Sequence, residues 1–124
     1  MATGLIAAVA NALLAGTGDL STYKWFQLHD GDPGASGTGN VATETTRKEI
    51  TWGTPSAASQ ASVTTDLVWT SIAGSEDATF CSIWDAATTG NCGQTGTVTA
   101  NPYTAGDTLT IPAGSVTRSF TAAS

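Results

Sequence analysis

Apolar residues fall in two rhythms along this chain. Near the start, Leu5, Ile6, Val9, Leu13 and Leu14 recur at spacings of three, four and five, the signature of one helix face. Thr3 is a suitable N-cap for a helix starting at Gly4, and Gly16 and Gly18 end it. So short a helix is marginal alone. Its stripe must dock on its own domain or on a neighbouring subunit.

From Leu20 the rhythm changes to alternation. Leu20 to Leu28 reads as a strand, with Tyr23, Trp25 and Gln27 on one face and Lys24, Phe26 and Leu28 on the other. Aromatics on both faces predict burial on both sides, as in an inner sandwich strand or a strand at a subunit contact. Further strands are predicted at Glu44 to Trp52, Val63 to Ile72, Ala78 to Trp84, Asn91 to Ala100, Thr108 to Ile111 and Ser115 to Phe120. Pro55 to Ser62 reads as loop or irregular edge. Turns are predicted at Ala73 to Asp77, Asp85 to Gly90, Asn101-Pro102 and Pro112 to Gly114. The expected fold is all-β: an antiparallel sandwich or barrel of roughly seven or eight short strands with one short N-terminal helix. Residues 1–18 form the helix and its cap, and 19–124 a single β domain.

The stretch Leu28-His29-Asp30-Gly31-Asp32-Pro33-Gly34 stands out. Pre-proline geometry at Asp32 and a Pro-Gly turn make a stiff corner, which holds the chain's only histidine. A polar loop follows through Gly39-Asn40 to Glu44, then Arg47 and Trp52-Gly53, and later Trp84-Asp85-Ala86-Ala87. In this order and spacing the motifs resemble a family of small tailed-bacteriophage virion proteins, common in phages of actinobacteria and often labelled tail fibre or minor structural protein. The chain departs from that pattern at Cys81 and Cys92, and at the hairpin turn Thr88-Thr89-Gly90-Asn91, where more glycine is expected. The resemblance implies a structural role and no chemistry for the corner histidine.

Composition narrows the function classes. One domain of 124 residues with 11% charged residues holds a single modest core and is not disordered by the high-charge route. The net charge of −6, with Lys24, Arg47, Lys48 and Arg118 the only basic side chains, argues against nucleic acid as a partner. The apolar N-terminus lacks the basic start of a secretory signal and is too short to span a bilayer. Assembly in the host cytoplasm is expected.

His29, Asp30 and Asp32 could suggest a metal or acid–base site. Two usable acids fall short of the alternating carboxylates of a Ca²⁺ loop. The simpler reading is a structural corner of His29, Asp30, Asp32, Pro33 and Gly34, with His29 bonding backbone and the aspartates making Asx turns. Cys81 and Cys92 flank the hairpin. If they sat opposite each other, a disulfide would close a loop of about ten residues and contribute roughly 2–3 kcal/mol; a reducing cytosol favours two buried thiols. No nucleophile elbow is present; sequence leaves a Cys81–His29 pairing open, but no other catalytic signature accompanies it. No catalytic residue, metal or cofactor is expected. Trp25, Trp52, Trp69 and Trp84 are read as core or intersubunit packing, with a sugar-stacking platform as the alternative.

The expectation is a bacteriophage virion structural protein. Its first placement is the outer shell, as a capsid decoration or minor capsid protein that stabilises the capsid. It would bind the major capsid protein and copies of itself, as a trimer. The alternatives are a tail fibre or minor tail protein in host attachment, bound to other tail proteins, and a carbohydrate-binding module on the virion. Candidate subunit contacts are Leu5, Ile6, Val9, Leu13, Tyr23, Trp25 and Phe26.

Overall fold

A computed structural model describes residues 4–6, 22–53, 59–61, 66–112 and 115–119. The strands are β1 (Gly4–Leu5), β2 (Trp25–His29), β3 (Lys48–Glu49), β4 (Ser59–Ala61), β5 (Leu67–Trp69), β6 (Glu76–Trp84), β7 (Cys92–Tyr103), β8 (Leu109–Ile111) and β9 (Thr117–Ser119). All pairings are antiparallel. One sheet runs β1-β7-β6-β2-β3, and β4–β9 and β5–β8 form two-stranded ribbons. The all-β antiparallel expectation holds, with a sandwich-like core.

The long β6–β7 hairpin is the spine. β2 lies along β6, pairing Trp25 with Trp84, Phe26 with Ile83, Gln27 with Ser82, Leu28 with Cys81 and His29 with Phe80. Side chains alternate across a strand, so Phe26, Leu28, Cys81 and Ile83 share one face. They pack with Leu67, Trp69, Leu109 and Ile111 of the β5–β8 ribbon, and with Ile50 and Ile72. Phe26 and Trp69 meet at 6.0 Å between ring centroids, tilted by 53°.

Four local expectations are corrected. Gly4–Leu5 pair with Thr95 and Gln94, and the Ile6 N–H continues the contact to the Gly93 carbonyl at 3.2 Å. The helix therefore does not start at Gly4. Glycine is a poor helix former, and the β7 edge offers these residues hydrogen bonds that outweigh local propensity. The rest of the predicted helix, with Val9 and Leu13, lies outside the described residues. Asn101-Pro102 does not turn the chain; Pro102 pairs with Asp77 and β7 runs on to Tyr103, with a register shift near Thr79. Proline is tolerated where its missing N–H faces no neighbouring strand. Ser59–Ala61, read as loop or edge, is a strand on β9. Phe26, a candidate subunit contact, is wholly buried in the domain's own core and presents no surface to a partner.

Candidate functional site

The corner closes over the second face of the same sheet. That face carries Gln27 and His29 from β2, Ser82 from β6 and Thr95 from β7, all buried. Buried polar groups need partners, and for His29 the corner supplies one. His29 Nδ1 lies 2.8 Å from the Gly39 carbonyl, so this nitrogen carries the proton and donates. Its Nε2 is then an acceptor and receives the Ser82 hydroxyl at 2.7 Å. The Trp84 indole N–H donates to the same Ser82 Oγ at 2.7 Å. The chain of donors thus runs from Trp84 through Ser82 and His29 to the backbone of the loop.

The loop is built to reach that position. Asp32 Oδ1 accepts from the Gly34 N–H at 2.9 Å, an Asx turn as expected. At Asp30 the bond is instead made by the backbone N–H, which donates to the Asn40 carbonyl at 3.0 Å while the side chain is exposed. The Gly39 N–H bonds the Pro33 carbonyl at 2.8 Å, and Asn40 Nδ2 the Asp32 carbonyl at 2.9 Å. Gly37 has φ of 75°, and a Cβ there would run into the Cys92 sulfur. Glycine is required at this position by both conformation and space.

A serine hydrogen-bonded to a histidine whose other nitrogen is oriented by an acceptor is also the layout of a nucleophile and its base. Here both side chains have 0% exposure, and the indole N–H already occupies the serine oxygen. No substrate can reach Oγ in this state, so the arrangement fixes the corner rather than attacking a substrate. Burial is also the largest influence on His29, holding its pKa below the usual 6.5; bonds from the Gly39 and Asn40 backbone oppose it. Ser82 was not singled out from sequence. Its role depends on a pairing 53 residues away, which no local pattern reports.

Arg47 secures the neighbouring hairpin tip. Its guanidinium lies 4.1 Å from the centre of the Trp84 ring, and Nη1 donates to the carbonyls of Ala86 at 2.8 Å and Thr89 at 2.7 Å. Asp85 Oδ1 accepts from the Asn91 N–H at 2.8 Å, closing the turn. Lys24 and Glu49 form an exposed ion pair at 2.8 Å.

Against this geometry, the family model of the podophage GP4 fiber I protein gp80 matches residues 1–119. The chain belongs to that family. No curated protein matches it. Membership agrees with the sequence resemblance at the level of a phage fibre-type structural protein.

In this fibre-family chain the cysteines are not cross-strand partners. Cys81 faces Gly96 and Cys92 faces Trp84. Cys81 packs in the apolar core, whereas Cys92 lies under Gly37 on the corner side. The strand separates them, and both are free thiols. Burial pushes the Cys81 pKa up to about 12 and raises that of Cys92, so both stay protonated and unreactive near neutral pH.

The four tryptophans do not converge on one platform. Trp69 and Trp84 are buried. Trp25 and Trp52 are partly buried, in and beside the central sheet. The indole N–H of Trp69 bonds the Thr46 carbonyl at 2.8 Å, and that of Trp52 the Tyr23 carbonyl at 3.0 Å. Among the described residues, no three His, Cys, Asp or Glu side chains gather as a metal site would require.

Proposed function

We propose that the protein is a non-enzymatic structural subunit of the phage tail fibre apparatus, placed on the outside of the virion and assembled with copies of itself and other tail proteins. The observation that carries this reading is the match of a phage fibre family over residues 1–119. It favours the fibre over the capsid shell, the placement to which the compact low-charge sequence leaned. The structure supports a scaffold role. The His29–Ser82 pair is sealed beneath the corner loop, and its polar atoms are spent on internal hydrogen bonds. The net charge of −6 suits an exterior position, away from packaged DNA. A closed symmetric assembly is the expected oligomer, since most soluble homo-oligomers are cyclic.

The test is copy number per virion, by quantitative mass spectrometry of purified particles, combined with gold-labelled antibody in electron microscopy. Low copy number with label at the tail is expected. Copies in fixed proportion to the major capsid protein, with label over the head, would overturn the fibre placement in favour of shell decoration.

A further inference from the structure

Two half-buried glutamates tie the turn between β5 and β6 to the loop that leads from the corner into β3. Glu44, on the loop, uses both carboxylate oxygens. Its Oε1 accepts from the Ala73 N–H of the turn at 3.1 Å, and its Oε2 accepts from the Thr46 N–H at 3.2 Å. Glu76, at the start of β6, reaches back with one oxygen. Its Oε1 accepts from the Thr43 N–H at 2.6 Å and from the Tyr103 hydroxyl at 3.2 Å. The turn and the loop are also pressed together: a Cβ on Gly74 would run into the Thr43 side chain.

The turn carries left-handed backbone at Ser71, with φ of 50°, and at Gly74, with φ of 76°. A serine adopts that conformation only at a cost that its surroundings offset. On its far side the turn is fixed without carboxylates. The Ile72 N–H bonds the Asp107 carbonyl at 2.9 Å, and the Gly106 N–H bonds the Ile72 carbonyl at 2.8 Å. The loop is pinned at one end by the Ala42 N–H on the Leu28 carbonyl and at the other by Arg47 on the hairpin tip. Between them, residues 43–46 are held by the two glutamates and by the Trp69 indole N–H on the Thr46 carbonyl. The loop is therefore the part that yields when the carboxylates let go.

A proton affects the two acids differently. An ionised carboxylate only accepts, whereas a protonated carboxyl oxygen is a donor and a poor acceptor. On Glu76 the proton can sit on Oε2 and leave Oε1 accepting, so that only charge assistance is lost. On Glu44 neither oxygen is spare, so protonation weakens a bond to Ala73 or Thr46 wherever it occurs. The groups acting on this cluster are Lys48 on β3, Asp30 at the corner and Tyr103 at the end of β7. Asp107, across the turn, uses its carboxylate on the Thr104 N–H at 3.0 Å. Burial is the largest single influence on Glu44 and raises its pKa. The bonds from the Ala73 and Thr46 backbone and the Thr46 side chain, with the charge of Lys48, outweigh it and hold the pKa below the usual 4.5. Tyr103 is pushed upward by burial first and then by Glu76, Asp30 and Glu44, so it remains a donor across the acid range.

We propose that Glu44 is the sensor of an acid-released latch: ionised, it pins residues 43–46 to the turn, and on protonation the loop lifts and Trp69 loses its carbonyl partner while the sheet stays folded. A depressed carboxylate pKa stabilises the closed form above the open-state value and loses that effect as pH falls through the closed-state value. The latch is thus shut above about pH 4.5 and opens below it. It does not depend on the fibre placement.

An NMR titration of the full chain from about pH 7 to about pH 3 tests it, following the Ala73 and Thr46 amides and the Trp69 indole N–H. All three are expected to move with one midpoint below 4.5, while the amides from Cys81 to Trp84 stay in place. Hydrogen-exchange protection at Ala73 should fall about tenfold across that midpoint, the worth of one hydrogen bond. Glu44→Gln puts an N–H donor where one oxygen stood, and should hold the three signals at their acid positions at every pH. Glu76→Gln keeps an oxygen for Thr43 and Tyr103, and should leave the midpoint in place. A Trp69 indole signal that does not follow Ala73 would overturn the latch. So would a titration that survives Glu44→Gln or vanishes in Glu76→Gln. A midpoint shared with the amides of Cys81 to Trp84 would replace it with acid unfolding of the whole domain.

Discussion

Both faces of the β2–β6 pair carry buried residues, and they are held by different physics. On one, Phe26, Leu28, Cys81 and Ile83 meet the β5–β8 ribbon. On the other, Gln27, His29 and Ser82 are buried, and His29 bonds a loop that begins at the end of the same strand. The apolar face tolerates approximate contacts, because dispersion and area burial are non-directional. The polar face tolerates none, because each buried donor or acceptor must be matched. The comparison teaches why a strand of five residues can be inner on both sides without being hydrophobic on both. The corner loop does the work that a second sheet would do elsewhere.

The apolar face should give the largest effects. Phe26→Ala removes a wholly buried ring and its contact with Trp69, and should cost about 3–5 kcal/mol in chemical denaturation. A cost near zero would mean that the ribbon is not packed on the sheet. Gly37→Ala tests the seat of the loop, with an expected loss of about 2 kcal/mol from left-handed strain and the clash with Cys92. Adding Cys92→Ala should recover part of that loss. Strict additivity in the double-mutant cycle would show that the two do not touch.

Ser82→Ala strips the acceptor from Trp84 and the donor from His29, at an expected cost of about 1–3 kcal/mol. The next effect is pH dependence. Burial holds the folded His29 pKa below 6.5, so the unfolded chain binds the proton first. Stability contributed by the neutral form is complete above about pH 6.5. It falls as pH drops below that value, by at most about 1.4 kcal/mol per pH unit until the folded pKa is reached. With one histidine in the chain, His29→Gln should remove that slope; its persistence would assign it to carboxylates. The smallest effect is at the hairpin tip. Arg47→Lys keeps the charge but loses the hold on two carbonyls and the flat contact with Trp84, and should cost about 0.5–1 kcal/mol.

Much of this contrast was legible in the residues. The alternation through β2 announced burial on both faces, and Asp32-Pro33-Gly34 announced the corner. Asp85 announced the turn that it caps. The illegible parts are those set by long-range register. A shift near Thr79 lets β7 run through Pro102, and the observed pairing puts Cys81 opposite Gly96 rather than Cys92. Ser82 looked like any strand serine until β2 placed His29 beside it. Gly4–Leu5 carried a helical pattern, and the edge of β7 claimed them for the sheet. Local pattern reports which face a residue takes; it does not report which residue it will meet there.

The most direct measurement of the central claim is the nitrogen NMR signature of the single imidazole as a function of pH. The account predicts one neutral tautomer, protonated at Nδ1 and bonded to the loop carbonyl, with a titration midpoint below the usual 6.5. An imidazole that averages between tautomers and titrates at its ordinary value would contradict it. The second face of the sheet would then not be locked by His29 and Ser82.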